Sequence, residues 1–223
     1  MGVFYGVKTD GIFQTQEEVN AYLNATGGKI QPNAKPGDIK FIDNNADGKI
    51  TDADRVDLGS PYPVFTGGLN LSLEYKGFDL NAFVYAALGQ KVYDATRRYD
   101  MNGTNYSTEW LNRWTGPGTS NTYPRVTFVD DNQNMKTVSD FFVHDGSFVR
   151  LRNITLGYTL PKNVTDYIKI KNLRLYVTAE NLLTLTSYKG YDPEIGGGVF
   201  SNGIDHGIYP QARTVLGGVN ITF

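Results

Sequence analysis

From residue 69 onward apolar and polar residues alternate. Leu69, Leu71, Leu73 and Tyr75 stand against Asn70, Ser72, Glu74 and Lys76. Gly77 turns the chain, and Phe78, Leu80, Ala82, Val84 and Ala86 then stand against Asp79, Asn81, Phe83 and Tyr85. A period of two with one apolar face predicts a β-hairpin. Residues 148–160 predict a third strand whose phase slips. Val149 and Leu151 share one parity, and Ile154, Leu156, Tyr158 and Leu160 the other, which calls for a bulge near Arg152 and Asn153 or a strand end rising above the apolar band. A fourth strand sets Leu173, Leu175, Val177 and Ala179 against Arg174, Tyr176, Thr178 and Glu180. The last sets Val215, Gly217, Val219, Ile221 and Phe223 against Thr214, Leu216, Gly218, Asn220 and Thr222.

The other segments read differently. Residues 2–13 suggest a short strand and a turn. Thr15 and Glu18 form a capping-box pattern before Val19, Tyr22 and Leu23, predicting one short surface helix at about 16–25, stopped by Gly27 and Gly28. Residues 31–68, 87–147 and 185–211 read as long loops, with a short strand expected around 123–129. The chain thus divides into a strand, turn and helix at 1–30, a loop at 31–68, and strands with long loops at 69–223. Short and long connections alternate, and several strands approach the ~9–11 residues that cross a bilayer at a tilt. That asymmetry belongs to outer-membrane barrels; the bland alternative is a soluble β-sandwich with one buried face. Polar residues of the other face, Asn70, Ser72, Glu74, Asp79, Asn81, Arg174, Thr178, Glu180 and Asn220, would line the lumen. Tyr75, Phe78 and Tyr158 would suit an interfacial girdle.

Composition supports an all-β reading: the 223 residues include 25 glycines, 15 tyrosines and 12 phenylalanines. A net charge of −2 argues against a nucleic-acid binder. Cysteine is absent, which excludes disulfides, thiolate metal sites and a cysteine nucleophile. The first residues lack the pattern of a signal peptide, so the chain is expected either to stay inside the cell or to be a piece of something longer.

The sharpest local motif is Asp43-Asn44-Asn45-Ala46-Asp47-Gly48-Lys49-Ile50-Thr51-Asp52-Ala53-Asp54. Its spacing fits a calcium loop. Asp43, Asn45 and Asp47 would give side-chain oxygens, Lys49 a carbonyl, and Asp54 a bidentate carboxylate. The alternative is a metal-free loop of Asx turns. Occupied, it would stiffen a loop rather than catalyse. Aromatic residues of the long loops, Tyr93, Tyr99, Tyr106, Trp110, Trp114, Tyr123, Tyr188, Tyr191 and Tyr209, suit sugar stacking or a wet protein interface. Tyr99, Trp110, Trp114 and Tyr191 are the candidates to touch a substrate or a lid protein. Trp110 and Trp114 are four apart, so a helical turn would put them on one face. Enzymatic readings are weak. His144 and His206 sit in no ligand motif, no nucleophile elbow occurs, and Asp192 and Glu194 have no partner positioned across a cleft.

Several stretches carry a resemblance: GVFYGVKTDGIFQTQEEVNAY, PGDIKFIDNNADGKITDADRVDLGSPYPVFTGGLNLSLEYKGFDL, NRWTGPGTSNTYPRV, DGSFVRLRNITLGYTLP, NLRLYVTAENLLTLTSYKGYDPE and VNITF. In order they resemble the C-terminal part of a SusC/RagA-type TonB-dependent outer-membrane transporter of Bacteroidetes. The resemblance implies the C-terminal antiparallel strands of a barrel of about 22 strands, with long extracellular loops. It implies import of oligosaccharides or peptides alongside a SusD-like surface lipoprotein. Energy would come from the TonB complex, through N-terminal regions this sequence does not show. Val219, Ile221 and Phe223 resemble the signal read by the barrel-assembly machinery. The expected location is the bacterial outer membrane, as part of a longer precursor. The competing reading is a soluble calcium-binding, carbohydrate-binding β-module.

Overall fold

A computed structural model describes residues 2–97, 106–167, 169–198 and 201–223. In chain order its strands are β1 (Tyr5–Gly6), β2 (Thr9–Ile12), β3 (Ile39–Phe41), β4 (Val56–Asp57), β5 (Phe65–Tyr75), β6 (Phe78–Leu88), β7 (Lys91–Asp94), β8 (Val143–Asp145), β9 (Phe148–Thr159), β10 (Asn172–Thr186), β11 (Ile204–Asp205) and β12 (Thr214–Thr222). Two short α-helices accompany them, α1 (Gln16–Ala21) and α2 (Lys162–Tyr167). The fold is therefore all-β, with a second short helix that the sequence pattern did not predict. The chain forms two compact units that interleave. One comprises Met1–Pro61, Lys91–His144 and Gly197–Gly207; the other comprises Tyr62–Gln90, Asp145–Gly196 and Ile208–Phe223.

The second unit is a five-stranded antiparallel sheet in the order β12-β10-β9-β6-β5. Directly paired residues share a face, so the register sorts the side chains. Leu71 pairs with Ala82, Leu73 with Leu80 and Leu69 with Val84. Leu80 pairs with Leu156 and Ala82 with Ile154. Leu156 pairs with Val177, and Leu175 with Val219. One face is apolar across all five strands. At the end of that face nearest the Lys76-Gly77 turn, Tyr75 pairs with Phe78 and Phe78 with Tyr158, whose rings lie 4.5 Å apart.

The phase slip in β9 is a bulge. Phe83 pairs with Asn153 but Val84 with Leu151, so Arg152 is the extra residue against β6. On the other side Glu180 pairs with Asn153 and Leu183 with Leu151, and Asn181 turns through φ 50°. The bulge returns Val149 and Leu151 to the apolar face, where Ile154 and Leu156 already lie.

The opposite face is polar and cross-linked. Arg174 Nε donates to Asp79 Oδ1 at 2.8 Å and Nη2 to Oδ2 at 2.5 Å. The pair reaches from β10 to β6 over Gly157 of β9; a Cβ there would stand 2.4 Å from Asp79 Oδ1 and 2.5 Å from Arg174 Nη2. Glycine is thus needed at 157 for room, not for backbone angle. Ser72 donates to Asn81 at 2.7 Å, and the hydroxyls of Thr155 and Thr178 bond to each other.

The first unit has little regular structure and is built from side-chain hydrogen bonds. Val7, Ile39 and Phe41 form one small core, with Ile50, Met135 and Phe141 against it; Phe13, Val19 and Ala34 form another, with Tyr22. Side-chain amides serve β3 as strands would. Phe41 N donates to Gln31 Oε1 at 2.9 Å, Gln31 Nε2 to Ile39 O at 3.0 Å, and Ile39 N to Asn134 Oδ1 at 2.8 Å. Asp38 is fully buried and takes Arg125 Nε at 2.7 Å and Asn134 Nδ2 at 3.0 Å.

Three expectations need correction here. Helix α1 ends at Ala21, not near 25, because residues 23–29 close their own turn. Leu23 bridges to Lys29, and Asn24 Oδ1 accepts the N–H of Thr26 and Gly28. The loop at 31–68 contains β3 and β4 and ends in β5, which starts at Phe65 rather than 69. No strand forms at 126–129, since Thr127 Oγ1 bonds locally to both Val129 N and Val129 O, competing with pairing.

Candidate functional site

The loop at 43–54 folds around its own acids. Asp43 Oδ2 accepts Gly48 N at 2.7 Å, Asn45 Oδ1 accepts Asp47 N at 2.9 Å, and Asp47 Oδ1 accepts Lys49 N at 3.0 Å. Gly48 is at φ +87°, with the Asn24 side chain where a Cβ would project. These bonds leave lone pairs open on Asp43, Asn45 and Asp47. Asp54, expected to give both oxygens to a cation, is used otherwise. It is fully buried; its Oδ1 accepts Asn44 N at 2.9 Å and Asn45 N at 3.3 Å, and its Oδ2 accepts Thr51 N at 2.7 Å. Among the described residues no group of three or more His, Cys, Asp or Glu lies close enough to hold a metal.

Burial alone would raise the Asp54 carboxyl, but the N–H groups of Thr51, Asn45 and Asn44 outweigh it and hold the group below the usual carboxylate range. A lowered folded pKa contributes stability above the ordinary pKa near ~4 and loses it as pH falls through the lowered value. Hydrogen-exchange protection of the Asn44, Asn45 and Thr51 amides should therefore drop on acidification below about pH 4. In Asp54→Ala it should be absent already at neutral pH. Protection equal in the two proteins would refute this role.

The aromatic candidates separate. Trp110 is buried within a cluster: its ring lies 5.3 Å from Tyr106, 5.8 Å from Tyr123 and 6.4 Å from Phe141. Arg97 sits over Tyr123 and Phe141 and pairs with Asp94 and Glu109, each at 2.9 Å. Trp110 therefore braces this unit, with about a tenth of its surface exposed, at the wall of a small cavity it shares with Tyr106, Arg125 and Met135. Nor do Trp110 and Trp114 share a helical face: a 3₁₀ turn spans Thr108–Asn112, and Trp114 lies beyond it. Trp114 packs on Gly37, where a Cβ would stand 2.5 Å from the ring, and its Nε1 donates to Gln14 Oε1 at 3.2 Å. Tyr191 is 74% exposed. Tyr99 lies outside the described residues. Val219 and Ile221 lie on the apolar face of β12, and Phe223 follows its end, largely exposed.

The sequence reading missed Arg150. It is 2% exposed on the polar face of β9. Its Nε donates to Thr184 Oγ1 at 2.9 Å, its Nη1 to Glu194 Oε2 at 2.9 Å and its Nη2 to Asp192 Oδ1 at 2.5 Å. Arg152 also binds Glu194. Asp192 Oδ2 accepts Gln211 N at 3.0 Å. Two strand arginines thus fasten the loop after β10. Asp192 and Glu194, weighed as a carboxylate pair lacking a partner, are ion-paired within this unit.

No protein-family model matches this sequence. The chain is 33% identical over 231 residues to the TonB-dependent receptor P3 of Formosa agariphila, a match covering all of this chain and 22% of the receptor. It is 34% identical over 195 residues to the TonB-dependent receptor SusC of Bacteroides thetaiotaomicron, covering 86% of this chain and 18% of SusC. The solved structure of the RagAB peptide transporter shares its fold, with a TM-score of 0.70 and 24% identity over 100% of this chain and 23% of that one. The chain spans about a fifth of the length of the curated relatives it matches. Over the stretch it covers, the chain belongs to the SusC/RagA family of TonB-dependent receptors.

Proposed function

We propose that the chain forms the C-terminal wall and surface loops of an outer-membrane importer that takes up oligosaccharides or peptides with a SusD-like lipoprotein as lid. One observation carries this reading: a single apolar face runs unbroken through five strands, opposite a polar, cross-linked one. In water such a face would drive aggregation; in lipid it is the stable arrangement. An 11-residue strand at ~3.4 Å per residue, tilted by about 45°, rises about 26 Å, the height of the apolar band of such barrels. The row of Tyr75, Phe78 and Tyr158 then marks one interface, the long connections lie outside the cell, and Val219, Ile221 and Phe223 act in assembly.

Because cysteine is absent, single spin labels test this in isolated outer membranes. Labels at Leu71 and Val219 should collide with oxygen, and labels at Ser72 and Asn220 with a water-soluble nickel complex. The same protein, affinity-purified in detergent, should bring a surface lipoprotein with it. Equal collision patterns on both faces, or recovery of the protein from the soluble fraction, would sink the reading.

The 43–54 loop is proposed to take one Ca²⁺ through Asp43, Asn45, Asp47 and the Lys49 carbonyl, with Asp54 holding the loop shut around its own N–H groups. Support comes from the spacing and from the second lone pairs of side-chain oxygens that each accept one N–H within the loop. Calorimetric titration with Ca²⁺ should give one site that Asp43→Asn with Asp47→Asn removes. A flat titration of the unaltered protein would leave the loop metal-free.

A further inference from the structure

The turns at one end of the five-stranded sheet carry an excess of lysine. Residues 76–77 and 160–171 join β5 to β6 and β9 to β10, and they hold Lys76, Lys162, Lys169 and Lys171 against a single acid, Asp166. The rest of the chain is net acidic. All four lysines are exposed, and among the described residues no carboxylate pairs with any of them. Two of them occupy backbone positions that suit other residues. Tyr75 pairs with Phe78, so Lys76 and Gly77 form a two-residue hairpin turn, at φ 47° and 86°. Such turns favour Asn-Gly, because a lysine Cβ crowds the left-handed backbone. Lys169 sits at φ 57° just past α2. There Lys169 N donates to Asp166 O at 3.2 Å and Ile170 N to Thr165 O at 3.0 Å. That pair of bonds closes a helix end whose left-handed place glycine usually takes. Lysine thus stands twice where asparagine or glycine would cost less, and the geometry of the turns does not account for the choice.

We propose that this end of the sheet is a docking rim for anionic phospholipid headgroups; the proposal rests on the wall reading and adds the chemistry of the leaflet that the short turns meet. The turns are tied to the strand ends. Thr159 N donates to Gly77 O at 2.7 Å, Leu160 N to Leu173 O at 2.9 Å and Lys171 N to Thr222 O at 2.8 Å. Lys76 and Lys171 therefore stand at fixed places along the border of the apolar face. Lys76 Nζ lies 5.1 Å from the ring centre of Tyr75, and Tyr75 shares that face with Phe78 and Tyr158. In the β9–β10 connection Tyr167 is 89% exposed. Aromatic rings sit at headgroup depth, and lysines beside them reach outward to the phosphates. A cluster of lysines next to an apolar span draws a negatively charged lipid surface. An ammonium held over a ring of the apolar face directs its charge to the lipid border, where a soluble polyanion would have no use for it.

The test is electron spin resonance of the protein, purified from outer membranes, in phosphatidylcholine vesicles. The vesicles carry a trace of chain-labelled phosphatidylglycerol or chain-labelled phosphatidylcholine. The protein should immobilise phosphatidylglycerol about three- to five-fold in preference. The preference should fall to near one when Lys76→Asn, Lys162→Gln, Lys169→Asn and Lys171→Gln are combined, and shrink in about 0.5 M NaCl. Lys189→Gln, in the long loop after β10, should leave it unchanged. Lys76→Asn and Lys169→Asn should keep or raise the thermal midpoint in detergent, since asparagine suits both backbones. A fall would show that the lysines serve the fold and would overturn the proposal. Equal immobilisation of the two lipids, the result expected if a soluble polyanion is the partner, overturns it too and leaves the wall reading standing. Immobilisation of neither lipid overturns both.

Discussion

Leu71→Arg should destabilise the protein in its membrane by about 2–4 kcal/mol, while Ser72→Arg, one residue further along β5, should cost about 1 kcal/mol or less. Leu71 sits mid-strand on the apolar face, paired with Ala82. On the proposed wall reading a guanidinium there meets hydrocarbon, opposite Ala82. Ser72 shares its face with Asn81, to which it is hydrogen-bonded, so a charge there finds polar company. The difference, about 1–4 kcal/mol, amounts to a factor of about five to several hundred in the folded-to-unfolded ratio, read as the shift in urea midpoint of the lipid-embedded protein. Equal shifts for the two variants would mean that neither face meets lipid.

Arg150→Met should cost about 3–5 kcal/mol, because it leaves a buried carboxylate without its cation. Three acceptors on two segments converge on this guanidinium: Thr184 Oγ1, Asp192 and Glu194. Arg150→Lys should recover only part of the loss, since an ammonium lacks the planar fork that spans them. The loss should concentrate in residues 187–196, as faster hydrogen exchange there, with the β5–β6 hairpin little changed. The double variant Arg150→Met with Asp192→Asn should be less damaged than the sum of its parts, because it removes the orphaned charge along with its partner. A loss below about 1 kcal/mol in the single variant would show the cluster to be solvated and weak.

How far the sequence foretold this depends on the range of the interaction. Alternation is local, so the apolar face from Leu69 to Ile221 could be read residue by residue. Even the bulge at Arg152 was legible, because a single extra residue shifts the parity of Val149 and Leu151 against Ile154 and Leu156. Arg150 was not legible: its partners lie 42 and 44 residues away, and nothing local distinguishes a buried arginine from a solvated one. Side-chain amides that complete β3, such as Gln31 and Asn134, have no sequence period either. The expected pairing of Trp110 with Trp114 assumed a full helical turn, and a short 3₁₀ turn formed instead. The spacing of the acidic motif reads as a calcium loop, but spacing does not show that its last acid, Asp54, accepts the N–H groups of Asn44, Asn45 and Thr51.

The interleaving of the two units bears on how the chain is made. The first unit gathers residues before 62, from 91 to 144 and from 197 to 207. Thr9 waits for Asp140, 131 positions later, to accept its hydroxyl proton. Tyr93 waits for the carbonyl of Gly203. Neither unit can be released by one proteolytic cut or produced alone by shortening the gene. Nor can the first unit settle as it leaves the ribosome; its loops must be closed over long stretches first, which places it among slow folders.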